Sequence, residues 1–593
     1  MPPAICREPR CCSIPRWRSE LRASVPHLAI RLTEPHRQLV QVRLQHQPQR
    51  SLLRFALPQW TPGSYLIRNY VRRLEGLELW QSGQPVGLRR SGVASWEAEL
   101  PSLEPIEFRY GVVAPELTVR TCHLTVDHGF LALAAVALAI EGERWSPHTL
   151  SLELPDGWEP FVPLPREPDG RWLAGDFDQL IDTPVEAGPH PSHNFAVAGV
   201  PHRWVEWGGD LPVEDPAWLG DVEQVCLACC RLMGVEQPAA EHYLFVLHRS
   251  ENGYGGLEHD LSTVLQFGRQ ALAKPDGRRK LLQLVAHEYL HQWNVRRLRP
   301  AELTPYAYEQ AVVVPTLWFA EGVTSYVDQL LPHAAGITTE AEVLEDLGAD
   351  LSRYLLSAGR RVQSLRASSE EAWVKLYLAD AHSASSQISY YLKGAVLALV
   401  LDLRLRQQGS GLPAVLQALW RSHGAAGRGY GEADLIAAFS RHDPELEQLL
   451  PQWLDATDDP PLQEALAWVG LRLRAETAPA PWMGWLLEPQ AGGLMVKRVE
   501  RDAPAQQAGL TVGDELLALD GCRLRTADDA ERELKRGEPG QDRELLWVRD
   551  GLVRRSLVVA GQPVVKNWVL EVDPETVPET AARRAAWLQL APP

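Results

Sequence analysis

The sequence predicts a multidomain α+β protein on three observations. At 593 residues the chain exceeds what one hydrophobic core organises, and three or four domains are expected. Its texture changes twice, from short strand-like runs to long helical ones and then to a compact mixed unit. Its composition, 45% hydrophobic and 23% charged, is that of an ordinary globular chain and excludes collagen-like or disordered classes.

The strand-like part comes first. From about Val25 to Pro165 the runs HLAIRL, LVQVRLQ, LLRFALP, LEGLELW and TLSLELP are separated by Pro/Gly turns, a spacing that predicts a β-sandwich. From about Asp215 to Asp455 come RRKLLQLVAHEYLHQW, EAEVLEDLGADLSRYLLSAG and YYLKGAVLALVLDLRLRQQ, whose apolar period is helical. DATDDPP reads as a linker. After APAPW, the strands LMVKRV and ELLALDG flank a turn-rich stretch, and ADDAERELKR follows as a helix.

Charge and cysteine use narrow the classes. A net charge of −17 argues against nucleic acid or an anionic membrane surface as partner. The eight cysteines are too sparse and irregular for a secreted disulfide framework. Cys226, Cys229 and Cys230 lie in VEQVCLACCRLM, which reads as a helix with buried thiols rather than half a metal site. The first twenty residues hold no apolar core of a secretory signal. The apolar run Phe130–Ile140 is too short to span a bilayer. A cytoplasmic location is therefore expected, with the periplasm open if the start is mis-assigned.

The chemistry concentrates in His287-Glu288-Tyr289-Leu290-His291. On a helix, residues i and i+4 lie one turn apart on one face, so the two imidazoles can reach one zinc ion. Glu288 is offset by about 100° and flanks the metal, where it can take a proton from water. A third ligand and an open position are needed. Asn294 and Arg297 stand where the metzincin pattern requires Gly and His, excluding that class. PTLWFAEGVTSYVDQLL reads as a second helix whose lone acid among apolar neighbours, Glu321, is costly unless paired or metal-bound. Glu321 is therefore preferred as third ligand over Glu302 and Glu309, which lie in a Pro-broken stretch. GYGGLEHD, with Gly255, Gly256 and Glu258, could pair with a peptide backbone and hold an ammonium; taken alone it reads rather as a flexible loop with a solvated Glu. In SYYLKG, a tyrosine near the metal could donate to an oxyanion, though buried helix tyrosines are common.

Taken in order, LPQWTPGSYLIRNYVR, FDQLIDTPVEAG, GGLEH, HEYLHQWN, WFAEGVTSY and SYYLKG resemble the glycyl aminopeptidase family of gluzincin metallopeptidases that carry a C-terminal PDZ domain. The resemblance covers nearly the whole chain. It implies a tail (1–22, disordered), an N-terminal β domain (23–175), a thermolysin-like, mainly helical zinc peptidase domain (176–460), a linker (461–480), a PDZ domain (481–561) and a C-terminal extension (562–593). It implies one zinc ion on His287, His291 and Glu321, with Glu288 as general base. Tyr391 would be the transition-state tyrosine, Glu258 the anchor of a free amino terminus, and Gly255 and Gly256 the lining of the substrate strand. The expected activity is removal of N-terminal residues, Gly or Ala by family preference, from peptides. LMVKRVERDAPAQQAGLTVGDELLALDG looks like a PDZ core able to capture a peptide C-terminus, with its carboxylate loop near Met483 to Leu486. Intramembrane metalloproteases also pair the zinc motif with PDZ, but they need spanning helices that are not found here. Two alternatives remain: an endopeptidase on the same site, or a PDZ-centred binding protein with a vestigial zinc site.

Overall fold

A computed structural model of the chain describes residues 25–209, 215–490 and 492–591. The predicted tail, with Cys6, Cys11 and Cys12, lies outside the described residues. Contacts divide the chain into two compact units, Met1–Gln59 with Asn69–His190, and Trp60–Arg68 with Pro191–Pro593.

The first unit is β-rich. A seven-stranded sheet runs in the order Trp172–Ala174, His148–Glu153, His27–Arg31, Leu39–His46, Ile106–Val113, Leu74–Gln81 and Gln84–Val86. Two four-stranded sheets complete it, one of them built around Leu52–Ala56 and Ser95–Glu99. All five runs singled out in the sequence are strands. Alternation explains why: Val40, Val42 and Leu44 on one strand and Phe108, Tyr110 and Val112 on its neighbour point inward and are buried, as period-2 patterning requires. Phe55 from a four-stranded sheet meets Phe108 edge-on at 4.5 Å, which closes the sandwich.

The second unit opens with a five-stranded sheet. Its strands are β1 (Ser192–Val197), β2 (Val200–Gly208), β3 (Tyr243–Arg249), β4 (Tyr254–Glu258) and β5 (Ser262–Phe267), in the spatial order β1-β2-β3-β5-β4. β2, β3 and β5 run parallel, and β4 pairs antiparallel with β5 alone. Helix α1 (Trp218–Met233) holds Cys226, Cys229 and Cys230 in its buried face. Burial raises all three thiols, the third to about 12, so they pack as apolar groups. Helix α2 (Gly277–Leu290) follows. Its Tyr289 stacks on Phe245 of β3 at 5.7 Å and meets His202 Nε2 of β2 through its hydroxyl at 2.9 Å, which fixes the helix's rotation over the sheet.

Helix α3 (Val323–Ala334) packs on α2, and α4 (Glu340–Leu356) and α5 (Tyr390–Gln407) pack on α3 and on each other. The PDZ-like unit then forms a sheet of Trp485–Gln490, Gly493–Val499, Glu515–Leu519, Asp542–Arg549 and Leu552–Val559 over a core that includes Leu494, Val496, Leu516, Leu545 and Trp547. It sits between two strands that pair antiparallel, β6 (Leu471–Thr477) and β7 (Val565–Val572). Ser352 of α4 holds this ribbon: its Oγ lies 2.9 Å from Asn567 Oδ1 and accepts from the Trp568 amide at 2.9 Å. The chain ends in α6 (Pro578–Leu588), whose Trp587 Nε1 donates to Tyr326 Oη of α3 at 2.6 Å. No helix among the described residues is long and apolar enough to cross a membrane.

Candidate active site

The last turn of α2 carries His287, and His291 caps its C-terminus; their rings meet at right angles with centroids 4.7 Å apart. Glu321 reaches them from the next element: its Oε2 lies 3.5 Å from His287 Nε2 and 3.2 Å from His291 Nε2. These three side chains form one cluster able to hold a metal ion. Zinc bound tetrahedrally at about 2.0–2.1 Å separates its ligand atoms by roughly 3.3 Å, so the spacing suits that ion. Glu302 and Glu309 are exposed and stand apart from the cluster.

Both imidazoles are aimed from behind. Asp328 Oδ2, on α3, lies 2.8 Å from His287 Nδ1, and the Asn294 carbonyl lies 2.5 Å from His291 Nδ1. Each contact engages Nδ1 and leaves Nε2 facing Glu321, the arrangement by which outer partners orient metal-binding histidines. Burial disfavours a charged carboxyl at Glu321, but the facing His291 and His287 draw it down to about 2.

The expected second helix begins differently from the sequence reading. Trp318–Gly322 is a π-helical turn that leads into α3. Its cause is local. Asn294 Nδ2 donates to the Phe319 and Ala320 carbonyls at 3.2 and 3.1 Å and to Thr324 Oγ1 at 3.2 Å, taking carbonyls that an α-helix would use itself. Such single π turns occur often at functional sites. The turn also crosses α5 at glycine on glycine: a methyl on Gly322 would stand 2.6 Å from Gly394 Cα, and one on Gly394 2.9 Å from the Trp318 carbonyl. That close crossing brings Tyr391 to the site, its ring 6.5 Å from that of His287. Burial and the nearby Glu321 push the Tyr391 phenol up, so it stays protonated. Its hydroxyl lies 3.1 Å from that of Tyr377, a residue the sequence reading passed over. Tyr390, on the same turn, also points to Tyr377, at 3.4 Å.

Two more acids close the site. Glu258, Glu288 and His291 form a second cluster of mutually close atoms. Glu288 is 5% exposed and Glu258 4%. Glu288 Oε2 and Glu258 Oε1 are buried and have no hydrogen-bond partner among the described residues, a costly state unless a cation or donor arrives. Burial pushes the Glu288 carboxyl up to about 7, with His287 and His291 opposing and Glu258 and Glu321 reinforcing the shift. Gly256 explains how β4 comes so close. A methyl there would lie 2.3 Å from the Glu288 carboxyl, so only glycine lets the strand approach. Gly255 adopts φ +147° with open space where a side chain would stand, and the outer edge of β4 pairs with no strand among the described residues.

The family model described as M61 glycyl aminopeptidase matches residues 280–397, that of the Peptidase M61 N-terminal domain residues 27–189, and that of a PDZ domain residues 495–549. A search of the curated proteins finds no match. Among solved structures, an aminopeptidase N family protein from Idiomarina loihiensis aligns at TM-score 0.89 and 29% identity, covering 95% of this chain and 100% of that one. An M1 zinc metallopeptidase from Deinococcus radiodurans aligns at 0.46 and 16%, over 74% and 95% of the two chains. Three family models in the order read from the sequence, and one homologous structure aligned end to end, place the chain in the glycyl aminopeptidase family of metallopeptidases, with a C-terminal PDZ domain.

Proposed function

We propose that the protein is a zinc aminopeptidase that releases small N-terminal residues, Gly or Ala, from peptides, with His287, His291 and Glu321 as zinc ligands. The observation that carries this reading is the convergence of two imidazoles and one carboxylate on a single point, beside two buried carboxyl oxygens that have no hydrogen-bond partner among the described residues. When bound, zinc supplies Lewis acidity towards a carbonyl and makes water a stronger acid.

The chain's own residues do the rest. A peptide pairs along the outer edge of β4, where Gly255 and Gly256 bring no side chain against its backbone. Glu258 accepts the peptide's α-ammonium, which fixes register so that the first peptide bond lies at the histidines. Glu288, whose carboxyl burial makes more basic, takes a proton from the attacking water and returns it to the leaving amine. Tyr391 donates from its phenol to the oxygen that gains charge. At the PDZ domain, the edge strand Trp485–Gln490 lies beside the helix Ala527–Leu534, a groove suited to an added strand from a peptide C-terminus.

The test is hydrolysis of glycyl, alanyl, leucyl and arginyl p-nitroanilides, and of one peptide with its amino terminus free or acetylated. Release from the free glycyl and alanyl substrates, abolished by chelation and restored by zinc, is expected. Equal cleavage of the acetylated peptide would establish an endopeptidase instead.

A further inference from the structure

Nine residues, Trp60–Arg68, belong to the larger unit, although the sequence on both sides of them belongs to the smaller one. They are firmly anchored there. Trp60 is fully buried, donates from Nε1 to the Ala307 carbonyl at 2.7 Å, and meets Trp373 edge-on at 5.1 Å. Tyr65, 1% exposed, sits edge-on to Trp373 at 5.9 Å and to Tyr377 at 6.3 Å. Between these anchors the chain turns: the Ser64 amide donates to the Thr61 carbonyl at 3.1 Å. Arg68 then clamps Ser64 Oγ through Nε and NH2 at 3.0 and 2.7 Å.

At the apex is Gly63, with φ +78°. A methyl there would stand 2.5 Å from both oxygens of the Glu258 carboxylate and 2.7 Å from its carbon. The carboxylate therefore lies flat against bare backbone. Glu288 rests on Gly256 in the same manner, so Glu258 and Glu288 each have a glycine beneath them. Tyr65 is close by, since Glu321 and Glu258, after burial, are the charges that make its phenol harder to ionise.

We propose that Trp60–Tyr65 forms a wall of the amino-terminal subsite, and that Gly63 is a specificity-determining position that fixes where the Glu258 carboxylate points. This rests on the reading of Glu258 as the acceptor of the substrate's ammonium. Glu258 Oε1 is buried with no hydrogen-bond partner among the described residues to hold its direction; contact with a rigid turn supplies it. Any side chain at position 63 moves the anchor, and with it the register of the peptide against the histidines.

The test combines Gly63→Ala, Gly63→Asn and Glu258→Gln with the double variants. Asn tolerates the left-handed backbone, so it fills the space while sparing the fold. Expected are a KM for alanyl p-nitroanilide raised about 10- to 100-fold and unchanged zinc content. In the Glu258→Gln background the Gly63 changes should add less than about 2-fold, because coupled positions are not additive. Full additivity, or an unaltered KM in a folded, zinc-loaded Gly63→Asn protein, overturns the role of Gly63 and leaves Glu258 standing. Should Glu258→Gln itself leave KM unaltered, the ammonium reading falls and takes this proposal with it. Hydrogen exchange on the unmodified chain gives an independent readout. Residues 60–68 should gain protection with alaninamide and not with N-acetylalaninamide; equal response to both, or none, counts against the wall.

Discussion

His287 Nδ1 stands 2.8 Å from Asp328 Oδ2, and the two residues come from different helices, α2 and α3. The contact fixes which nitrogen of the imidazole faces Glu321. Asp328→Asn is therefore expected to weaken zinc binding roughly 10- to 100-fold. Competition against a chromogenic chelator measures it, and native affinity in the variant would remove the orienting role.

Glu288→Gln separates metal binding from chemistry. The amide keeps the shape beside Gly256 but cannot accept the proton. Zinc content should stay at one per chain while turnover of alanyl p-nitroanilide falls by about 100-fold or more. Metal analysis alongside initial rates decides; near-wild-type turnover would exclude the base.

Asn294 is 1% exposed and spends its amide on two carbonyls and a hydroxyl of the Glu321 segment. With each bond worth about 1 kcal/mol net, Asn294→Ala should cost roughly 2–3 kcal/mol of stability and loosen zinc through Glu321. Denaturant melts with and without zinc would show both effects, and a loss confined to stability would deny the link to the ligand.

The fold should also be acid-sensitive at His202, which is 2% exposed and packed under Tyr289. Burial lowers its pKa from 6.5 to about 4. Between those values the unfolded chain binds a proton that the folded chain refuses, so stability is complete above pH 6.5 and declines as pH falls towards 4. The loss amounts to about 3 kcal/mol at 1.36 kcal/mol per unit. Urea melts from pH 7 to pH 4 should show it, and His202→Gln should flatten the profile; an equal slope in both proteins would assign the acid sensitivity elsewhere.

Legibility in the sequence followed range. The α2 cluster was readable because i and i+4 positions are local, and Glu321 because a lone acid in an apolar run is conspicuous. The sandwich strands were readable by alternation. Asp328 carries a usable signal, seven residues beyond Glu321 and so near the same face. The π turn did not show, since it depends on an asparagine from another element and on the Gly322–Gly394 crossing. Trp60–Tyr65 reads as one more loop between strands; its place beside Glu258 rests on aromatic contacts with residues far along the chain. The β6–β7 ribbon was hidden for the same reason, because its partners lie on either side of a whole domain.

That ribbon governs how the protein can be cut. Because the chain enters the PDZ domain on β6 and leaves it on β7, the domain is an insertion with strapped ends, not a pendant tail. A stop codon after it would strip β6 of its partner and uncover Tyr326, injuring the peptidase. Excising the insert and bridging the two strands with a short turn is the deletion this topology can survive.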